Sequence, residues 1–119
     1  NMDSELCAAF ISVPNCIGQV TVMVSQSPSN VIVKQNQSVN LKCYQSASYN
    51  NMYWYRQQST TELHLVVFSL FMNNPEYGNN IPKRFTATRS TRENITLEMN
   101  NAETSDTGFY LCAVSNTVK

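Results

Sequence analysis

The sequence carries little charge and no excess of either sign. Charged residues make up 13% of the 119 residues, and eight basic side chains balance eight acidic ones. A protein that attracts nucleic acid or a strongly acidic substrate needs a basic surface, so the composition offers no electrostatic case for either partner. No apolar run approaches the roughly 20 residues of a membrane-spanning helix. We therefore expect membrane attachment only through segments outside these 119 residues.

The residues on which most enzymes rely are also scarce. His64 is the single histidine, and it stands in an apolar stretch without a paired cysteine or a carboxylate cluster. Such a histidine is more often structural or interfacial than a metal ligand. The three glycines form no phosphate-binding loop, and the serines form no nucleophile elbow. We expect no catalytic residue, no metal, no cofactor and no enzymatic activity.

A helical period is absent as well, because no window repeats apolar residues every 3.6 positions. Short alternating stretches separated by turn residues recur instead, such as residues 39–43, where every second residue is apolar. This pattern predicts an all-β protein, and the length leaves room for one domain.

Two cysteines, a tryptophan and a tyrosine have spacings that one architecture explains jointly. Trp54 follows Cys43 by eleven residues, and Tyr110 precedes Cys112 by two. In a two-sheet sandwich the cysteines bridge the sheets, the indole packs on the bridge, and the tyrosine hydroxyl ties the preceding corner to the backbone. The alternative, two unrelated thiols and a core tryptophan, leaves the agreement of three spacings unexplained. The other core positions that we expect are Leu41 and Leu97.

These motifs resemble those of an immunoglobulin-superfamily variable domain, and most closely those of a T-cell receptor variable segment. The resemblance covers residues 20–115 and rests on Cys43, Trp54-Tyr55-Arg56-Gln57, Arg84-Phe85 and Asp106-x-Gly108-x-Tyr110-x-Cys112. It implies an immunoglobulin V-type Greek-key sandwich of two antiparallel sheets. It also implies an ion pair between Arg84 and Asp106.

The resemblance further implies a second variable-domain chain as a heterodimer partner. Met52 and Trp54 share one face of their strand by period two, whereas Tyr53, Tyr55 and Gln57 share the other. In the resembled family the counterparts of Tyr55 and Gln57 contact the partner domain.

Residues 63–71 are too apolar for an edge strand that faces water. Either the domain itself buries this strand, or the partner covers part of it. We favour the partner, and we place Leu65, and Val67 or its neighbours, on the same face as Tyr55 and Gln57.

Three loops correspond by position to the hypervariable loops, for which the resemblance implies a peptide–MHC-type ligand. Their expected ligand-binding residues are Ser48, Tyr49, Asn50 and Asn51 in the first loop, Met72, Asn73 and Asn74 in the second, and Ser115 at the start of the third. Two glycosylation sequons begin at Asn36 and Asn94. With the disulfide, they favour the secretory pathway and the extracellular side of the cell surface.

The first residues do not fit the sandwich pattern. Residues 6–13 form a short apolar core typical of the latter part of a secretory signal peptide. We therefore expect residues 1–18 to be a leader that carries Cys7 and Cys16 away, and residues 19–119 to be the variable-type domain. The alternative is a second disulfide between those cysteines in an ordered extension.

Only seven residues follow Cys112, and none of them supplies the Phe-Gly-x-Gly motif of the final strand in rearranged receptor chains. We expect the last strand to be missing or truncated, and strand 109–114 to have an open edge. Asn116-Thr117-Val118 fits one frame of the recombination heptamer CACAGTG, which favours an unrearranged variable gene. A chance Thr-Val explains the same residues.

Two questions stay open at this point. Residues 112–115 are typical of an alpha-type receptor chain, whereas residues 52–57 are typical of a beta-type chain. The alternative function is an adhesion or innate immune-type receptor domain that acts without a rearranged partner.

Overall fold

The structure is a computed structural model that describes residues 7–8, 24–27, 30–31, 35–58 and 62–116. Ten strands and one short 3-10 helix, Thr104–Asp106, make up its secondary structure. In chain order the strands are β1 (Cys7–Ala8), β2 (Val24–Ser27), β3 (Asn30–Val31), β4 (Val39–Gln45), β5 (Asn51–Gln57), β6 (His64–Leu70), β7 (Glu76–Tyr77), β8 (Phe85–Thr91), β9 (Asn94–Met99) and β10 (Gly108–Ser115). Of the expected leader, residues 1–18, all but Cys7 and Ala8 lie outside the described residues.

The strands form two antiparallel sheets. One has the order β1-β10-β5-β6-β7, with β3 also paired to β10, and the other has the order β2-β4-β9-β8. From β4 onward the chain changes sheet between β4 and β5, between β7 and β8, and between β9 and β10. These crossings produce the Greek-key sandwich, which confirms the predicted fold class.

The core lies between the sheets because alternate residues of each long strand point inward. Its fully buried side chains include Leu41, Met52, Trp54, Val66, Val67, Ile95, Leu97, Met99 and Tyr110. A disulfide joins Cys43 on β4 to Cys112 on β10, with Cα atoms 6.3 Å apart. This bond crosses from one sheet to the other and confirms the predicted pairing.

The corner before β10 is fixed by two side chains. Tyr110 Oη donates a hydrogen bond to the carbonyl oxygen of Asp106 at 2.6 Å, and burial raises the pKa of this tyrosine. Arg84 donates twice to the buried Asp106 carboxylate, at 2.7 and 3.2 Å. The same carboxylate accepts the backbone N–H of Glu103 at 2.9 Å. The structure thus brings together the arginine and aspartate expected to pair, and their hydrogen bond raises the pKa of Arg84.

The turn before β4 depends on a left-handed residue. Asn36 has φ 66°, a conformation that asparagine tolerates better than most residues. Its backbone N–H donates to the carbonyl oxygen of Ala102 at 2.7 Å. The turn expected at residues 35–37 is confirmed.

Of Val67 and its neighbours, which were expected on the outer face, Phe68 lies there and Val67 itself is buried. A register irregularity lies where Trp54 pairs with Val67 and Tyr55 pairs with Leu65, so Val66 is an extra residue on β6. Such a bulge breaks the period-two alternation. Val66 and Val67 therefore both point into the core, and Phe68 takes the outward position that Val67 or one of its neighbours was expected to hold.

The turn-rich region 72–80 contains a strand that the sequence did not predict. β7 pairs with β6, and the Tyr77 hydroxyl accepts the backbone N–H of Ala87 on β8 at 2.9 Å. Gly78 packs so closely that an added Cβ would lie 2.0 Å from the carbonyl oxygen of Leu65. This side of the sandwich is closed by a side chain that joins the two sheet edges.

The edge of β10 is more fully paired than the sequence predicted. β3 pairs with Gly108 and Phe109, and β1 pairs with Ala113 and Val114. The prediction that strand 109–114 has an open edge is therefore wrong at both ends. Backbone N–H and C=O groups on a sheet edge are available for hydrogen bonding, and here β1 and β3 pair with them.

Candidate recognition surface

An aromatic face covers the outer side of β5 and β6. We define it as Tyr53, Tyr55, Leu65 and Phe68, which are all half-buried. The Tyr53 ring stacks on Tyr55 with centroids 5.9 Å apart and on Phe68 with centroids 5.1 Å apart. Trp54 points the opposite way and is fully buried. The face is thus an ordered aromatic surface on a sheet whose other side is core.

The aromatic face is bounded by β10 and by the far end of β5. Leu111 lies opposite Tyr55, and Phe109 lies opposite Gln57. Leu111 is 3% exposed, so β5 and β6 supply most of the accessible surface. Burial, followed by the neighbouring Tyr53, raises the pKa of Tyr55. The phenol is accordingly held in an apolar setting, while its β5 neighbour Gln57 gives the face a polar border.

The loops form a second surface at one end of the sandwich. Asn50, Asn73 and Asn74 are exposed, and Met72 is 84% exposed with φ 78°. An unbranched apolar side chain held in water by a left-handed backbone is unusual. This end therefore offers one flexible apolar contact among amides.

Two residues expected in these loops are covered instead, which corrects the prediction for Asn51 and Ser115. Asn51 is 2% exposed and Ser115 is 1% exposed. They lie opposite each other on β5 and β10, and the Asn51 amide donates to the Ser115 hydroxyl at 3.2 Å. That hydroxyl also hydrogen bonds to the Tyr53 hydroxyl at 2.8 Å. The pair connects the loop end to the aromatic face without facing solvent.

The first loop rests on the domain through its other two predicted residues. Tyr49 packs partly against the core. Ser48 has φ 59° and donates a short hydrogen bond to Glu93 in the β8–β9 turn. This bond lowers the pKa of Glu93. The first loop and the β8–β9 turn are therefore neighbours.

Arg89 joins three parts of the loop end. Its guanidinium donates to the carbonyl oxygens of Tyr49 at 2.9 Å, Asn50 at 3.0 Å, Ser69 at 2.8 Å and Arg92 at 2.7 Å. These oxygens belong to the first loop, to the end of β6 before the second loop, and to the β8–β9 turn. One side chain thereby fixes the relative positions of the first loop, the end of β6 and the β8–β9 turn.

Gln45 reinforces the same junction from β4. It is fully buried, and its amide donates to the carbonyl oxygens of Tyr49 at 2.8 Å and Arg92 at 3.2 Å. Its side-chain oxygen accepts the Tyr49 backbone N–H at 2.9 Å. Buried amides are tolerated when their donors and acceptors are satisfied, and this one is satisfied by loop backbone.

The Arg89 guanidinium is positively charged, and the hydrogen-bond partners described above are backbone carbonyl oxygens with no carboxylate among them. Burial, and then the positive charge of Arg92, lowers the pKa of Arg89 to about 10, which leaves it protonated at neutral pH. Arg89 and Arg92 both lie over the Phe71 ring, at 5.5 and 4.8 Å from its centroid. Carbonyl dipoles and a π face thus stabilise the cation.

Our sequence reasoning missed this network, although a signal was present. Inward positions on β8 are Phe85, Ala87 and then Arg89, and inward positions on β4 include Cys43 and then Gln45. A polar residue that continues an inward series near a strand end predicts a buried contact to a loop. The sequence alone does not say which oxygens it meets.

The described residues hold no cluster of metal-binding side chains. No three His, Cys, Asp or Glu side chains in ranges 35–58 and 62–116 converge to hold a metal ion. His64 is exposed and lies opposite Arg56. No described helix is long and apolar enough to cross a membrane. The surfaces described above are suited to binding.

Comparison with known proteins gives the family. The model of the immunoglobulin V-set domain matches residues 26–119. T cell receptor beta variable 6-6 from Homo sapiens is 37% identical over 109 residues, which are 92% of this chain and 93% of that protein. T cell receptor beta variable 28 from Homo sapiens is 35% identical over 83% of this chain and 86% of that protein. The T-cell receptor beta chain V region C5 from Mus musculus is 34% identical over 86% and 83%.

Solved structures agree with the sequence comparison. A chain from a structure on T-cell specificity and activation by the bacterial superantigen toxic shock syndrome toxin-1 superimposes with a TM-score of 0.75 and 32% identity, over 83% of this chain and 86% of that one. A chain of a chicken T-cell receptor superimposes with a TM-score of 0.71 and 28% identity, over 81% of this chain and 42% of that one. The chain therefore belongs to the immunoglobulin V-set family, among the T-cell receptor variable domains.

Proposed function

We propose that this chain is the antigen-recognition domain of a cell-surface T-cell receptor chain. It pairs with a second variable domain through the aromatic face and presents its loop end to a peptide–MHC-type ligand. The observation that carries the proposal is the stacked row of Tyr53, Tyr55 and Phe68 on the outer side of a sheet. Its relatives are beta variable segments, so an alpha-type variable domain is the proposed partner.

The physical support comes from the composition of the face. Aromatic residues are enriched and charged residues depleted at the centres of protein interfaces. Tyr53, Tyr55, Leu65 and Phe68 fit that composition, and Gln57 lies at one border. Stacked rings have already lost much of their rotamer freedom, so pairing costs less entropy.

The loop end supports the second part of the proposal. Arg89 and Gln45 hold the first loop, the end of β6 and the β8–β9 turn in one arrangement. A preorganised surface binds with a smaller entropic cost than independent loops do. Met72 at its edge supplies an adaptable apolar contact.

We also propose the cellular setting. Residues 1–18 direct the chain into the secretory pathway and are removed, and residues 19–119 lie on the extracellular side of the plasma membrane. The Cys43–Cys112 disulfide supports an oxidising compartment. Other segments of the receptor hold it in the membrane, and the domain is not an enzyme.

The pairing proposal is tested by Tyr55→Arg, with Tyr44→Arg as the matched control. Tyr44 is also a strand tyrosine, near the end of β4, but it is 47% exposed on the outer side of the other sheet. We expect Tyr55→Arg to abolish capture by a yeast-displayed library of T-cell receptor alpha variable domains, and Tyr44→Arg to leave capture unchanged. The face is wrongly assigned if the loss of capture by Tyr55→Arg is no larger than its loss of folded protein. It is also wrongly assigned if Tyr55→Arg and Tyr44→Arg lower capture equally.

A further inference from the structure

The recognition surfaces leave one sequence motif unused. The sequon Asn94-Ile95-Thr96 begins β9, directly after the turn formed by Arg92 and Glu93. Asn94 points outward, because the inward positions of this strand are Ile95, Leu97 and Met99. Its amide therefore lies on the solvent side of the β2-β4-β9-β8 sheet.

An exposed aromatic ring lies directly opposite this asparagine. Tyr44 on β4 is paired in register with Asn94 and is 47% exposed. Directly opposite side chains of an antiparallel pair have Cβ atoms about 4.5–5.5 Å apart. The neighbour on the other side of Tyr44 is the exposed Ser25, which is too small to cover a ring. The ring thus lies beside the Asn94 amide with much of its surface in water.

The Asn94 amide is held in place by its own turn. Nδ2 donates a hydrogen bond to the Thr91 hydroxyl at 2.8 Å. The amide nitrogen carries two hydrogens, so attachment of one substituent leaves a hydrogen to maintain this bond. The structure can therefore accept a substituent on Nδ2 without losing the contact that orients it.

We propose that Asn94 carries an N-linked glycan whose first N-acetylglucosamine covers the ring of Tyr44. The donor is a polyprenyl pyrophosphate-linked oligosaccharide. The bond between sugar C1 and the pyrophosphate oxygen breaks, a bond between C1 and Asn94 Nδ2 forms, one Nδ2 proton is released, and the polyprenyl pyrophosphate leaves.

The ring explains why this sequon differs from the other one. The face of a phenol ring is electron-rich, and it attracts the weakly positive C–H groups on one side of a pyranose. Asn36 lies in an exposed turn outside the strands, so no strand register places an aromatic residue directly opposite it as Tyr44 lies opposite Asn94. A glycan at Asn36 therefore has no equivalent ring to cover, which makes that site an internal control.

The proposed glycan lies on the opposite side of the sandwich from the aromatic face. It rests on the proposed secretory route, where such glycans are attached, but not on the pairing or ligand proposed above, and its structural support is the sequon, the register and the exposure of Tyr44. It gives a cover to Tyr44, which is one of the large exposed hydrophobic side chains among the described residues, together with Leu63, Met72 and Tyr77.

The first measurement is site occupancy. The full chain is expressed in a mammalian secretory line, and the cell-associated and secreted protein is digested with a glycosidase in heavy-oxygen water. We expect the Asn94 peptide to carry the isotopic mark, and Thr96→Val to remove it while keeping a β-branched residue in β9. An unmarked Asn94 in both fractions overturns the proposal.

The second measurement tests the ring contact by nitration. Tyr44 is treated with tetranitromethane and mapped by mass spectrometry in the glycosylated chain and in Thr96→Val. We expect severalfold slower nitration of Tyr44 in the glycosylated chain and equal nitration of Tyr77 in both. Equal nitration of Tyr44 in the two chains overturns the ring contact.

The third measurement is a double-mutant cycle in which the melting temperature, Tm, is compared among variants. Loss of the glycan through Thr96→Val should lower Tm by about 2–8 °C, which is the range for one aromatic stacking contact in a domain of this size. In a Tyr44→Ser background the same change should have little effect, and Asn36→Asp should lower Tm equally in both backgrounds. The intrinsic effect of Thr96→Val is subtracted using unglycosylated protein refolded from bacteria. An equal loss with and without Tyr44 contradicts the proposal.

Discussion

Arg89 donates a hydrogen bond to the carbonyl oxygen of Tyr49 at 2.9 Å, and so joins β8 to a loop that lies forty residues earlier in the chain. The same guanidinium reaches Ser69 and Arg92. The relative positions of the loops consequently depend on one inward-facing cation near a strand end. This relationship links the sandwich, which is built on apolar alternation, to the polar loop end that we propose to contact the ligand.

We expect Arg89→Ala to cost roughly 1–3 kcal/mol of unfolding free energy, because it removes the charged donor from the partly buried carbonyl oxygens of Ser69 and Tyr49 and leaves only the Gln45 amide on the latter. Amide hydrogen exchange at Tyr49 and Asn50 should rise more than exchange in β9. Arg92→Ala is the control, since its described side-chain contact is the Phe71 ring, and it should cost less than about 1 kcal/mol. Urea unfolding and hydrogen exchange measure both quantities, and equal costs for the two variants would contradict the network.

The disulfide between Cys43 and Cys112 closes a loop with a sequence separation of 69. We expect Cys43→Ala to cost about 2–5 kcal/mol and to prevent stable folding at body temperature. Non-reducing peptide mapping of secreted protein checks the bond, and urea unfolding checks the cost. Free thiols at both positions in folded, secreted protein would be incompatible with the sandwich.

The raised pKa of Tyr55 predicts an effect of alkaline pH on stability. Burial favours the neutral phenol in the folded state, so the unfolded chain ionises first, near pH 10. This contribution is present below pH 10 and is lost as the pH rises through the folded pKa. We expect unfolding free energy to fall more steeply above pH 10 in the unaltered chain than in Tyr55→Phe. Identical slopes in urea unfolding series would show that Tyr55 is not desolvated.

The pairing of β1 with β10 predicts an effect of removing residues 1–18, which we propose to be a leader. A chain that starts at Gln19 lacks the partners of Ala113 and Val114, and an unpaired edge promotes association. We expect this chain to self-associate, and a joining segment containing Phe-Gly-x-Gly at its end to restore a monomer. Size-exclusion chromatography and thermal melting compare the three chains. A monodisperse, cooperatively folding chain from Gln19 would show that the edge needs no further strand.

The fold was most predictable from the sequence where characteristic residues stand at fixed spacings. Cys43, Trp54 and Cys112 predicted the sandwich because a disulfide and its packing residue require fixed positions on facing strands. Alternation did not decide between Val67 and its neighbours for the outer face, because a bulge adds a residue without leaving a Gly or Pro signal. Regular strands are thus predictable from period two, whereas bulges depend on the register with a neighbour.

The surfaces were predictable only in part. Period two placed Tyr55 on the outward side of β5, but the predicted exposure of Asn51 and Ser115 was wrong because cross-strand pairing covers them. Arg89 was missed because its hydrogen bonds go to backbone atoms distant in sequence. Such contacts follow from the fold and leave no local motif.

The measurement that tests the central claim most directly is photo-crosslinking from the aromatic face. A benzoylphenylalanine replaces Phe68, which stacks on Tyr53, and in a control chain it replaces Tyr44 on the opposite sheet. Each chain is co-expressed with a T-cell receptor alpha variable domain selected by capture of the unaltered chain. We predict a crosslinked heterodimer from position 68 and none from position 44. A crosslink from position 44 alone, or none from position 68 in a chain that still co-purifies with its partner, would contradict pairing through this face.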